Sequence, residues 1–125
     1  MATIKSYTDI SQSKTLSKIL PLESADMCYM YLGTEDKEYE DIPICAPAME
    51  GDLCAWSLAA LRNLLPVAIK VNENTYLFES HNTFDKCWVY RYYNEDDVSY
   101  LYCKDTNEVD ACVAMVEKLQ ELNLL

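Results

Sequence analysis

The chain has 125 residues, half of them hydrophobic, and this length and composition predict one globular domain. Ten basic residues stand against 21 acidic ones, and the resulting formal net charge of −11 is spread along the whole chain. A field of this sign repels phosphate backbones and anionic membranes, which argues against direct binding of nucleic acid or of a membrane. The partner that we expect is a protein, either a foreign one or a second copy of the chain.

The six cysteines, at positions 28, 45, 54, 87, 103 and 112, are predicted to be reduced and packed. Residues 1–7 contain no apolar segment of the kind that a signal peptide needs, and the longest uncharged apolar stretch, Leu53–Leu61, is too short to span a bilayer. We therefore predict a cytoplasmic protein. No cysteine pair has the spacing of a zinc knuckle, and two glycines cannot build a phosphate loop, so we expect neither a metal nor another cofactor.

The first half of the chain predicts one helix, one short strand and a loop. The helix is expected over about residues 8–20, with Thr8 as its cap and with Pro21 ending it. Residues 25–32 favour a strand, and a helical turn is the alternative. Residues 33–52 have the composition of a solvent-exposed loop and contain the acidic run 35–41.

The second half of the chain predicts a helix, a series of strands and a last helix. A helix is expected over about residues 52–65 with Asp52 as its N-cap, and another over about residues 107–122 with Asn107 as its N-cap. Between them the hydrophobic period changes from 3.6 to 2, which predicts strands at 67–71, 76–80, 87–93 and 98–103. The predicted fold is α+β, an antiparallel β-meander of three to five strands packed on one face by about three helices.

The last predicted hairpin allows a sharper inference about side chains. If Tyr93 pairs with Val98, alternate residues divide between a face for the helices and an outer face, the former made of Trp88, Tyr90, Tyr92, Leu101 and Cys103. On the outer face Arg91 is then expected opposite Tyr100, which permits a cation–π contact. Because tyrosine and arginine are enriched at interface hot spots, we predict a candidate interaction face made of Arg91, Tyr93, Tyr100 and Tyr102. The alternative is that the acidic loop or segment 25–32 covers this face.

The residue types of a thiol-based catalytic site occur close together at His81, Asp85 and Cys87. Catalysis would need the imidazole within hydrogen-bond reach of the sulfur, and positions four and six residues apart at a loop–strand junction do not specify that geometry. We therefore predict no catalytic residue, and a thiol-dependent enzyme that uses Cys87 and His81 remains an alternative.

Three stretches, taken together, carry a family resemblance. They are residues 8–14 with 23–27, residues 54–61 with 64–66, and residues 109–112 with 119–125. As a set they resemble a group of small uncharacterised proteins of gut-associated anaerobic bacteria, often encoded in phage-like or mobile elements. In that group the cysteine and the tryptophan of the second stretch are adjacent, whereas Ala55 separates Cys54 from Trp56 here. The resemblance implies a bacterial cytosolic setting and an accessory role, and it transfers no functional residue.

Three functions fit these observations to different degrees. The first is a non-enzymatic interaction or regulatory module that uses the outer sheet face, the acidic loop, or both. The second is an acidic nucleic-acid mimic that inhibits a host or phage enzyme by occupying its basic groove, a complex that salt should weaken steeply. The third is the thiol-dependent enzyme described above.

Overall fold

A computed structural model of the chain describes residues 5–125. These residues divide into two compact units, residues 6–60 and residues 61–125 with Lys5. The elements, in chain order, are α1 (Ile10–Ser17), a 3₁₀ turn (Leu22–Ser24), β1 (Met27–Tyr29), β2 (Leu53–Ala55), α2 (Leu58–Leu64), β3 (Ala68–Val71), β4 (Asn74–Asn82), β5 (Trp88–Tyr93), β6 (Ser99–Asp105) and α3 (Glu108–Glu121). The predicted α+β class is confirmed, with antiparallel sheets of two and four strands.

The first helix begins later and ends earlier than the sequence predicts. Its cap is Asp9, whose carboxylate accepts the N–H of Gln12 at 2.7 Å, while the Gln12 side chain accepts the N–H of Asp9. Thr8, the predicted cap, is instead fully buried, and its hydroxyl bonds the Ser13 hydroxyl and accepts the N–H of Trp56. The hydroxyl of Thr8 therefore joins α1 to the chain that follows β2.

The two-stranded sheet organises the unit of residues 6–60. In β1 and β2, Met27 pairs with Ala55, Cys28 with Cys54, and Tyr29 with Leu53. Met27, Tyr29, Leu53 and Ala55 form a buried cluster, and α1 packs against β2. A further antiparallel segment lies along the other edge of β1, where Ile44 exchanges two backbone hydrogen bonds with Cys28 and Tyr31 bridges to Tyr39. The loop predicted over 33–52 thus contains residues that extend this sheet.

The predicted second helix is wrong over residues 52–57. Leu53–Ala55 form a buried strand, and α2 begins only at Leu58, where the Ser57 hydroxyl accepts the N–H of Ala60 as an N-cap does. An unbroken apolar run suits a buried strand as well as a buried helix, so periodicity alone does not separate the two. Asp52, the predicted cap, accepts the N–H groups of Tyr31 and Met49 instead.

The four-stranded meander and α3 form the unit of residues 61–125. Strands β3, β4, β5 and β6 are neighbours in chain order, and α3 packs against β5 and β6. The predicted cap of α3 is confirmed, because the Asn107 side chain accepts the N–H groups of Val109 and Asp110. Val109, Cys112, Val116 and Leu119, which recur at helical spacing, are completely buried.

The β5–β6 hairpin has a different register from the one predicted. Arg91 lies opposite Tyr102 rather than Tyr100, and a bulge falls between Tyr92 and Tyr93. The physical reason lies in the loop, where Asn94 rather than Tyr93 closes the turn by donating its N–H to the carbonyl of Val98. A shift of two residues returns each side chain to the same face. Tyr90, Tyr92, Leu101 and Cys103 are accordingly buried, as predicted, whereas Trp88 at the start of β5 is only partly buried.

Candidate interaction surface

The outer face of the meander holds Arg91 in a network of internal contacts. Its Nε donates to Glu79 and one terminal nitrogen donates to Asp97, each at 2.6 Å, while the other terminal nitrogen donates to the Ser99 hydroxyl at 3.3 Å. These hydrogen bonds, the one to Glu79 first, raise the pKa of Arg91 above its ordinary value. The guanidinium also lies 4.5 Å from the centre of the Tyr93 ring. A cation engaged in this way positions its neighbours and has few donors left for a partner.

The four residues predicted for the outer face are not all brought together. Arg91, Tyr93 and Tyr102 share it, and the cation–π contact joins Arg91 to Tyr93 instead of Tyr100. The Tyr100 ring stacks on Tyr76 with ring centres 4.9 Å apart. Tyr76 points to the same side of β4 as Phe78, whose ring meets the buried Tyr90 and Tyr92. The bulge thus turns Tyr100 away from Arg91 and reduces the aromatic area of this face.

The side chains of the thiol-enzyme alternative have other partners. His81 Nδ1 lies 3.6 Å from a Glu79 carboxylate oxygen, and the Cys87 sulfur lies 3.9 Å from the main-chain carbonyl of Asp85. The Asp85 carboxylate bonds the Thr83 hydroxyl and the Lys104 ammonium. No contact in residues 81–87 joins an imidazole nitrogen to a thiol or to the Asp85 carboxylate, which is the geometry that nucleophile activation needs.

A second surface, which the sequence does not single out, lies on the unit of residues 6–60. Since side chains alternate along a strand, β1 and β2 present Met27, Tyr29, Leu53 and Ala55 to the buried cluster and the thiols to the opposite side. We call Cys28, Met30, Ile44 and Cys54 the thiol face. Its two thiols are buried, whereas Met30 and Ile44 are each nearly half exposed.

A groove of about 510 Å³ adjoins the thiol face. The Pro47 carbonyl lies 3.9 Å from the Cys28 sulfur. The apolar lining of the groove comes from Leu22, Ala25, Pro47, Ala48, Met49 and Cys54. Met49 is 78% exposed and Leu22 is 58% exposed, which is unusual for large apolar side chains beside one cavity. Methionine is flexible and polarisable and adapts to different apolar ligands, so this lining suits recognition of a side chain.

The charge around the groove is negative. Glu23, Glu50 and Asp52 contribute to its wall, and it has no basic residue. The unit of residues 6–60 contains three lysines against ten acidic residues, a net of −7 (3 − 10), whereas the rest of the chain has seven basic against eleven acidic residues, a net of −4 (7 − 11). The exposed apolar groove therefore lies on the more acidic unit.

Burial and the nearby carboxylate both suppress ionisation of the two thiols of this face. Burial raises the pKa of Cys28 and of Cys54, and the negative charge of Asp52 raises both further. The pKa of Asp52 itself is lowered, because its carboxylate accepts the N–H groups of Tyr31 and Met49. Both thiols are thus protonated at neutral pH and pack as small apolar groups.

Sequence reasoning missed this surface for identifiable reasons. Leu22, Met30, Ile44 and Met49 lie in four separate stretches that share no period. Strand pairing places Ile44 beside Cys28, and Leu22 and Met49 come together only in the folded groove. The acidic run 35–41 is the one local signal, since it marks the same unit as exposed and negatively charged.

No helix within residues 5–125 has the length and hydrophobicity to cross a membrane. Within the same residues, no cluster of three or more His, Cys, Asp or Glu side chains has a geometry that could hold a metal ion. Comparison of the chain with protein-family models, with curated proteins and with solved structures gave no match.

Proposed function

We propose that this chain is a non-enzymatic interaction module of the bacterial cytosol, and that its partner is a basic polypeptide segment with apolar anchor side chains. The observation that carries the proposal is the groove lined by Leu22 and Met49, two exposed apolar residues surrounded by carboxylates. An apolar side chain of the partner would fill the groove, and its lysines or arginines would lie against Glu23, Glu50 and Asp52. Anchors in pockets supply most of the binding energy at interfaces, while rim charges mainly set the association rate and the specificity.

The groove supports an interaction better than the outer face of the meander does. On the outer face the cation is held by Glu79 and Asp97, and Tyr100 has turned to Tyr76. Tyr102 and Leu77 remain about half exposed there. Leu77 and Tyr93 line a cavity of about 450 Å³, but the other residues of its lining are all polar, namely Glu73, Asn74, Thr75, Asn94, Glu95 and Asp96. Single exposed apolar residues are normal on a protein surface, whereas a group that rims a cavity is not.

The experiment uses three synthetic peptides of equal length and measures their binding by fluorescence anisotropy. One peptide alternates leucine with lysine, one alternates serine with lysine, and one alternates leucine with glutamate. We expect the leucine–lysine peptide to bind tightest, because it alone supplies both anchors and positive charge. A double variant, Leu22→Ser with Met49→Ser, should bind it at least about tenfold more weakly, which corresponds to about 1.4 kcal/mol.

The matched control removes two exposed apolar residues elsewhere, Val67→Ser with Val98→Ser, and should leave the affinity unchanged. Equal binding of the serine–lysine and leucine–lysine peptides, with a steep loss in salt, would instead support the nucleic-acid mimic, which needs charge alone. Retention of full affinity by the Leu22→Ser, Met49→Ser variant would refute the groove as the binding site. The denaturation midpoint of each variant shows whether its fold is intact.

A further inference from the structure

We propose that Cys28 and Cys54 form a reversible cross-strand disulfide by exchange with low-molecular-weight disulfides. The two residues lie directly opposite each other in β1 and β2, with side chains on the same face. The inference is independent of the proposed function, because it concerns a bond within the chain and needs no partner protein.

The hydrogen-bond pattern shows which kind of cross-strand pair this is. The N–H and the carbonyl of Cys28 both point away from β2, since they exchange bonds with Ile44 at 3.0 and 2.9 Å. Cys28 and Cys54 therefore form a non-hydrogen-bonded antiparallel pair, in which the Cα atoms are typically about 4.5 Å apart and the side chains are closest. Disulfides span Cα separations of about 4.4 to 6.8 Å, so this kind of pair lies within their range without movement of the strands.

The surroundings give the two thiols different roles. Cys54 lines the groove and is the slightly more exposed of the two, whereas Cys28 is almost fully buried beneath the carbonyl of Pro47. A small disulfide that enters the groove therefore meets the Cys54 sulfur first. Cys28 is placed to act second, as the resolving thiol.

The exchange balances in two steps. The Cys54 thiol first loses its proton to solvent. The resulting thiolate attacks one sulfur of the small disulfide, whose S–S bond breaks, and the displaced small thiolate takes up a proton. The Cys28 thiolate then attacks the Cys54 sulfur of this mixed disulfide and releases the second small thiol. The protein loses two electrons and two protons, and the small disulfide is reduced to two thiols. An excess of small thiol reverses both steps.

The other four cysteines do not offer this arrangement. Cys45 is exposed and Cys87 is partly exposed, so both can carry an external thiol and would obscure the readout. Cys103 on β6 lies opposite Tyr90, and Cys112 lies on α3, so neither has a cysteine opposite it in a strand pair.

The test uses a Cys45→Ser, Cys87→Ser protein, reduced and then incubated with 2-hydroxyethyl disulfide, which is small enough for the groove. Free thiols are then blocked with N-ethylmaleimide in denaturant, and the protein is digested with trypsin without reduction. Cleavage after Lys18, Lys37 and Arg62 gives peptides 19–37 and 38–62, each with one remaining cysteine. We expect mass spectrometry to find these two peptides linked, and the link to disappear after treatment with dithiothreitol.

Two single substitutions in the same background test the order of attack. Cys28→Ser should leave Cys54 as a mixed disulfide with half of the probe, because the resolving thiol is missing. Cys54→Ser should leave Cys28 free and alkylated by the maleimide. Peptides 92–104 and 105–118, which contain Cys103 and Cys112, serve as internal controls and should stay unlinked.

A second experiment does not depend on whether the small disulfide can reach the thiols of the folded protein. The same protein is unfolded and refolded in a mixture of reduced and oxidised 2-mercaptoethanol, so that pairing is decided by the native geometry. If peptides 19–37 and 38–62 are linked after refolding, the result supports the proposal even where exchange with the folded protein is slow. Free Cys28 and Cys54 after refolding, or an equal mixture of all pairings, would overturn it.

Discussion

At the scale of one residue, Asp52 shows that a carboxylate can accept backbone N–H groups either as a helix cap or from segments outside a helix. A carboxylate before an apolar run is a good helix cap, because it can accept backbone N–H groups. Here it accepts two such groups, from Tyr31 at 2.9 Å and from Met49 at 3.0 Å, but these belong to a neighbouring segment and a turn rather than to a helix. The sequence shows that an acceptor is present, whereas only the fold decides which donors reach it.

The lowered pKa of Asp52 predicts a pH-dependent contribution to stability. Its folded-state pKa lies below the unfolded value of 3.8, so the folded protein releases this proton more readily. The stabilisation is therefore complete above the unfolded value and is lost as pH falls through the folded value. Asp52→Asn should lower the urea midpoint at pH 6, because the amide nitrogen cannot accept an N–H, and this difference should shrink toward pH 2.

Glu35→Gln is the control for this prediction, since it removes one charge from the acidic run of the same unit. Urea unfolding followed by tryptophan fluorescence measures both variants across the pH range. An Asp52→Asn effect that is equal at pH 6 and pH 2, or that Glu35→Gln reproduces, would show that the two backbone hydrogen bonds do not stabilise the fold.

At the scale of elements, the two-residue turn between β3 and β4 contains a local strain. Val71 pairs with Asn74, and the intervening Asn72 and Glu73 have φ angles of 51° and 71°. Positive φ at both positions is the geometry of a type I′ turn, which favours Asn followed by Gly. Asn72 suits its position, whereas Glu73 adopts a conformation that side chains with a Cβ disfavour by about 1 to 2 kcal/mol.

Glu73→Gly is therefore expected to stabilise the protein by about 0.5–1 kcal/mol. Relief of the left-handed strain favours the variant, and the greater entropy of glycine in the unfolded chain offsets part of the gain. Chemical denaturation at neutral pH measures the difference. Glu73→Gln controls for the lost negative charge and should change stability much less. If the glutamine variant is as stable as the glycine variant, charge rather than backbone conformation is the cause.

Elements with strong local signals were predictable, and those decided by pairing were not. The third helix has both a cap, Asn107, and a clear apolar stripe, and its predicted range of 107–122 agrees closely with Glu108–Glu121. The second helix failed because residues 53–55 take their conformation from β1, which lies 26 residues earlier in the chain. The faces of β5 and β6 were predicted correctly although the register was wrong by two residues, because side chains alternate with a period of two. The predicted partner of Arg91, Tyr100, was wrong, because Arg91 pairs with Tyr102.

At the scale of the whole molecule, the net charge follows directly from the sequence and does not depend on how the chain folds. A net charge of −11 makes the compact state repel itself, and salt screens this repulsion. The groove could not be predicted in the same way, because exposure of Met49 and Leu22 is a property of the folded surface. The paired thiols depend on strand register, which no local pattern around either cysteine reveals.

Moderate salt is expected to stabilise the folded chain. Raising potassium chloride from roughly 20 mM to roughly 300 mM shortens the Debye length severalfold, which weakens repulsion among the excess carboxylates. Exposed ion pairs such as Lys37–Asp41 weaken as well, but each contributes little. The melting temperature should therefore rise. A fall would mean that the specific ion pairs outweigh the net repulsion.

A disulfide between the opposed thiols would also change the unfolded state of the chain. Once Cys28 and Cys54 are joined, the residues from 28 to 54 become a covalently closed ring that contains the acidic run, Pro47 and Met49. Such a ring persists when every hydrogen bond is broken, and it reduces the number of conformations open to the unfolded chain. An oxidised molecule that unfolds would therefore refold from a smaller ensemble of conformations than a reduced one. Its disulfide would still be present after unfolding and refolding.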